Sequence, residues 1–125
     1  MNGNVSDLLL DTDVLVDSFR GARALDVGRA RAWYSVVTLC ELFAGERVNE
    51  DLVRITLSLF TEIPVDRTIA ERAGRIRRSS GIRIADSLIA ATAVLHDLEI
   101  VTRNRRDFAH VDGLVVRDPS TLARS

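Results

Sequence analysis

Hydrophobic positions along the chain fall into short continuous runs separated by stretches with helical spacing. Leu8, Leu9 and Leu10 form an apolar run short enough for a strand buried on both faces of a parallel sheet. Helical spacing over residues 14–19 predicts a short helix ending at Gly21, and the Arg- and Ala-rich piece 22–32 reads as helical, weakened by Gly28. Trp33 opens the next strand, predicted over 33–36. Thr38 then begins T-L-C-E, a capping box with Glu41 that predicts a helix stopping near Gly45. Asn49 is placed to cap a further helix. There Leu52, Val53, Ile55, Leu57, Leu59 and Phe60 cover more than one face, so the helix is either well packed or part of a subunit contact.

Residues 62–65 predict a weak strand, and Pro64 inside it points to a sheet edge. Thr68 and Glu71 form a second capping box, with Ile69, Ala70, Ala73 and Ile76 carrying that helix toward Ser79, Ser80 and Gly81. In IADSLIAATAVLHDL, Ala85, Leu88, Ile89, Thr92 and Leu95 recur at helical spacing. Residues 99–102 read as a strand, 105–108 as one helical turn and 114–116 as a last strand. Strands alternating with helices predict an α/β domain whose short, mainly parallel sheet is covered on both faces. With no repeat, low-complexity tract or linker, residues 1–125 read as a single domain.

Composition narrows the chemistry. Every one of the 17 basic residues is arginine, which excludes a Schiff-base lysine, a lysine base or a phosphate-binding lysine. The net charge of −1 gives no global field for a polyanion, so any nucleic-acid contact has to come from a local patch. A single cysteine, Cys40, with His96 and His110 far apart cannot build a structural zinc site. The N-terminal residues lack a signal-peptide pattern, and no run approaches the roughly 20 apolar residues of a membrane span. A soluble, cytoplasmic protein is expected.

The acidic residues then fall in a telling order. In parallel sheets, sites gather beyond the carboxyl ends of the strands. Asp11 and Asp13 follow the first strand, Asp107 follows the strand that carries Val101, and Glu41 and Asp86 lie in first helical turns. Individually each has a plainer role as a cap or first-turn carboxylate, and Glu41 most of all. Together they would repel at one rim unless a cation joined them, and all-oxygen donors favour magnesium or manganese. Such a centre suits attack of water on a phosphodiester. Arg78 and Arg83 precede Asp86, and Arg103, Arg105 and Arg106 surround Asn104, all of them candidates to hold an RNA backbone.

Four pieces in order, LLLDTDVLVD, SVVTLCELFAG, IADSLIAATA and IVTRNRRDF, resemble the PIN-domain ribonucleases, most closely the toxin subunits of VapBC toxin–antitoxin pairs. The resemblance spans nearly the whole chain. It implies a three-layer α/β/α fold and a magnesium- or manganese-dependent endoribonuclease that leaves 5′-phosphate and 3′-hydroxyl ends. It further implies a homodimer and a cognate VapB-type antitoxin that holds the enzyme inactive. By position it makes Asp11, Glu41 and Asp86 the catalytic, metal-binding carboxylates. Asn104 stands where many relatives carry aspartate, so either Asp107 or a water held by Asn104 completes the set. Asp13 stands where relatives carry asparagine or serine. Thr12, Asp13, Thr102 and Asn104 are the candidates to orient the ligands.

Two other functions compete. The D-T-D at Asp11 and Asp13 also resembles the opening of haloacid-dehalogenase-type phosphatases, but the chain offers no lysine clamp and no late metal loop. The other is a degenerate PIN-like domain that binds RNA or a partner without cleaving.

Overall fold

The computed structural model describes residues 7–19 and 31–122. Strands β1 (Leu8–Leu10), β2 (Ala32–Ser35), β3 (Thr61–Ile63), β4 (Glu99–Val101) and β5 (Val116–Arg117) pair in parallel throughout, in the order β3-β2-β1-β4-β5. Around them run helices α1 (Thr12–Phe19), α2 (Val36–Phe43), α3 (Glu50–Leu57), α4 (Arg67–Ser80), α5 (Ile84–Leu95) and the short α6 (Arg105–Phe108).

Side chains along a strand alternate between faces, and β1 uses that alternation to knit two cores. Leu9 joins Ile100 in packing against Ile69, Ala73 and Ile76 of α4 and Ile89, Ala90 and Ala93 of α5. Leu8 and Leu10 point the other way, into Val14 and Leu15 of α1, Leu42 of α2 and Val53 and Leu57 of α3. The three β1 leucines are completely buried. The result is the expected α/β/α sandwich. Leu8, Leu9 and Leu10 register with Glu99, Ile100 and Val101 on one side, and Leu8 and Leu9 with Ala32 and Trp33 on the other.

Several boundaries differ from the sequence reading. Val36 belongs to α2 rather than to the strand, because Ser35 at the strand's end turns the chain directly into the helix and its side chain accepts the Val37 N–H at 3.0 Å. Neither capping box forms: Thr38 is buried inside α2, and α4 is capped by Asp66, which accepts the Ile69 N–H at 2.8 Å, while Glu71 pairs with Arg67. In both places a better acceptor sits at the true end of the preceding extended segment, where the free helical N–H groups begin. Asn49 does cap α3, accepting the Leu52 N–H at 3.1 Å.

β3 ends before Pro64, on the sheet edge. β5 begins at Val116 rather than 114, after a turn at Gly113 whose φ of 79° sits in the left-handed region. Ala32 opens β2, while the rest of the expected 22–32 helix, apart from Arg31, and the stop at Gly21 lie outside the described residues.

Only Val53 and Leu57 of α3 enter the core, whereas Ile55 is 66% exposed and Leu59 just beyond it 76%. Among the described residues no helix is long and apolar enough to cross a membrane. Asp66→Ala is expected to lower stability by about 1 kcal/mol in a denaturant melt. Thr68→Ala should stay within about 0.5 kcal/mol of wild type.

Candidate active site

β1 lies at the point where the chain's crossings diverge, with β2 on one side and β4 on the other. Side-chain groups from both halves of the chain can therefore meet beyond its carboxyl end. Asp11 is the first residue past that end, tied by its N–H to Val101 O at 3.0 Å and only 6% exposed. One carboxylate oxygen accepts the Thr12 N–H and the other the Thr102 hydroxyl, each at 2.8 Å. Burial, followed by the charge of Asp13, pushes its carboxyl up to about 7; the Thr102 and Thr12 hydrogen bonds oppose the rise, and Asp86 adds to it.

The Thr102 hydroxyl also lies 3.3 Å from Asp13, so its one proton serves two carboxylates. Asp13 accepts the Arg103 N–H at 3.2 Å, and burial pushes its own carboxyl upward. Arg103 in turn pairs with Asp17 at 2.8 Å. Asp13 and Asp17 thereby fasten the turn after β4 to α1.

The other candidate acids stand around this point. Asp86, in the first turn of α5, is buried and bonded by Arg83, Nε to Oδ2 at 3.1 Å and Nη2 to Oδ1 at 3.4 Å. Glu41 accepts the Thr12 hydroxyl at 2.6 Å, and Thr12 Oγ1 lies 3.0 Å from the buried Thr38 hydroxyl. Asp107 accepts the Asn104 side-chain N–H at 2.7 Å. The Arg83 guanidinium feels the charges of Asp86, Glu41 and Asp107 together, while Asp11 feels Asp13 and Asp86. The acids thus share one rim, but among the described residues no three His, Cys, Asp or Glu side chains close on a common point.

Of the candidate RNA contacts, Arg83, Arg103 and Arg105 are engaged with Asp86, Asp17 and Asp118, whereas Arg78 and Arg106 form no ion pair with a described residue. The sequence reading missed Thr38 and Asp17 as parts of this network. It also treated Arg83 only as a phosphate contact, although its three-residue spacing from Asp86 on a helical entry is the signal for an ion pair.

The donor set suits a hard divalent cation. The side-chain donors are oxygens, the kind such a cation takes, and burial and neighbouring carboxylates both disfavour a charge on Asp11 that a cation would offset.

A pH dependence follows from Asp11. Its carboxyl binds a proton more tightly in the folded than in the unfolded chain, so in chelator this group's contribution to stability is full below the unfolded value of 3.8 and is lost as pH rises to about 7. Denaturant melts should show Asp11→Asn gaining on wild type as pH rises across that range.

The sequence matches the PIN domain family over residues 8–114. It is 38% identical over 115 residues to Ribonuclease VapC10 of Mycobacterium tuberculosis, covering 78% of this chain and 82% of that protein. Identity to Ribonuclease VapC1 of Methanocaldococcus jannaschii is 30% over 122 residues, covering 90% and 88%. Among solved structures, a toxin–antitoxin complex from Klebsiella pneumoniae contains a similar chain, with a TM-score of 0.78 at 35% identity, covering 90% of this chain and 98% of that one. These matches remove the haloacid-dehalogenase-type alternative, consistent with an Asp13 whose oxygens are taken up by Thr102 and the Arg103 backbone. The chain belongs to the PIN-domain family, within its VapC branch.

Proposed function

We propose that this protein is a magnesium- or manganese-dependent endoribonuclease, the toxin of a type II toxin–antitoxin pair, acting in the cytoplasm as a single PIN domain over residues 1–125. The observation that carries this reading is the desolvated Asp11 carboxyl, set among Asp13 and Asp86 beyond the central strand and pushed up to about 7. Its VapC relatives are ribonucleases by name, and they match most of the chain.

Asp11, Glu41 and Asp86 would hold the ion, with Asp107 as the fourth acid. Asn104 spends its side-chain N–H on Asp107, which argues for Asn104 as a positioning group and for Asp107 as the rim carboxylate. When bound, the ion would polarise a water for attack on the RNA phosphodiester and stabilise the departing 3′-oxygen. The protein's part is orientation: Thr102 and the Thr12 N–H fix the two Asp11 oxygens, the Thr12 hydroxyl fixes Glu41, and Asp13 holds the Thr102–Asn104 turn against α1. Arg78 and Arg106, free of ion pairs with described residues, are the guanidinium groups best placed to take RNA phosphates.

A cleft of about 600 Å³ runs between α1, α2 and α3, with Val16, Phe19, Leu42 and Val48 in its wall and Glu41 at its edge. An antitoxin segment lying in it would cover apolar surface and reach the acidic rim. Exposed Ile55 and Leu59 nearby offer a surface for that partner or for a homodimer.

Purified protein should cleave a panel of structured RNAs with magnesium or manganese and not with chelator. Asp11→Asn and Asp86→Asn should each reduce the rate by more than about 100-fold, and Thr12→Val by roughly tenfold through a misplaced Glu41. RNA binding that persists in correctly folded protein with no cleavage under any metal would establish the binding-only alternative.

A further inference from the structure

Arg83 makes a contact that an open cation site would not contain. The loop carrying it is fixed from the α4 side: Gly81 takes a left-handed φ of 78°, and the Arg77 guanidinium donates to both Gly81 O and Ile82 O. Arg83 then enters α5 in an extended conformation without capping it through its side chain. Its guanidinium instead lies across Asp86, facing both carboxylate oxygens at 3.1 and 3.4 Å. The two partners differ sharply in exposure, with the Asp86 side chain 7% and the Arg83 side chain 74% exposed. A nearly buried anion is thus paired with a cation whose own side chain is largely in solvent.

Glu41 and Asp107 also act on that guanidinium, so one positive charge faces three of the rim acids. A divalent ion reaching Asp86 would meet this charge directly. Magnesium sits about 2 Å from its oxygen ligands, and at such separations from the guanidinium the repulsion between the two cations is strong. The arginine side chain already lies largely in solvent, so it regains water readily on leaving, and the cost of displacement falls chiefly on Asp86, which the incoming ion then neutralises.

We propose that Arg83 is a tethered counter-ion, which neutralises Asp86 in the metal-free protein and is displaced from it when a divalent ion binds. This rests on reading the rim as a cation site. Displacement leaves the guanidinium at the mouth of the site, on the side from which an RNA phosphate would approach, so one residue serves the empty and the loaded states in turn. It also sets the metal concentration at which the site fills, since every binding event has to break the Arg83–Asp86 pair.

The test uses manganese alone, titrated calorimetrically at fixed pH into wild type, Arg83→Gln, Arg83→Lys and, as site control, Asp86→Asn. Thermal midpoints of the same proteins are taken in chelator. Arg83→Gln should bind manganese at least roughly twofold to fivefold more tightly, the lower end being set by what a surface pair contributes, and should melt at lower temperature when metal-free. Arg83→Lys, which keeps the charge, should remain near wild type in both measurements. Manganese binding by Arg83→Gln no tighter than wild type overturns the displacement, and an unchanged metal-free midpoint overturns the counter-ion role. If neither wild type nor Arg83→Gln binds manganese while the metal-free midpoint still falls, the cation-site reading fails and takes the displacement with it.

Discussion

A carboxylate taken out of water at the end of a buried strand is the constraint around which this molecule is arranged. Asp11 follows three completely buried leucines, so the segment that anchors both cores also carries its charge into a desolvated place. Everything nearby answers that charge. Thr102 and the Thr12 backbone donate to it, and the threonine side chains pass further hydrogen bonds outward to Asp13 and Glu41. Isolated, such a carboxylate would be costly. Set at the meeting point of several strands and helix entries, it is the charge that a bound cation would relieve most.

The parallel order of the sheet makes that meeting point possible. Strand ends gather on one edge only when every strand runs the same way, and here all the pairings are parallel. Strands of two to four residues suffice because helices cover both faces and supply the burial that the ladders lack. The turn after β4 adds polar ties to the buried Thr102, through Asp13 on the Arg103 backbone and Asp17 on its guanidinium.

Much of this was legible in the sequence, and the exceptions share a cause. The leucine run, the helix after Gly81 and the strand at Glu99–Val101 carry periodicities that packing enforces, and each lies where the pattern put it. Asp11 lies within electrostatic reach of Asp86, and Arg83 within reach of Asp86, Glu41 and Asp107, although among the described residues no three of these acids close on a common point. The helix starts were misread because capping boxes are a matter of spacing, while the actual caps, Ser35 and Asp66, were decided by where extended chain ends. Pairings such as Arg103 with Asp17 join distant segments, and no local pattern records them. For the same reason Thr38 read as a cap and proved to be a buried neighbour of Thr12.

The bond from Thr102 to Asp11 joins residues 91 apart, and β1 gains its β4 partner only when residues 99–101 are present. During synthesis the β4 side of the central strand can therefore be paired only after residues 99–101 have left the ribosome. Sheets closed by such distant partners form late and slowly. The acidic edge cannot assemble before the whole fold does. Any activity that depends on that edge is therefore tied to near-complete synthesis of the domain, since Thr102 and Asp107 lie late in the chain.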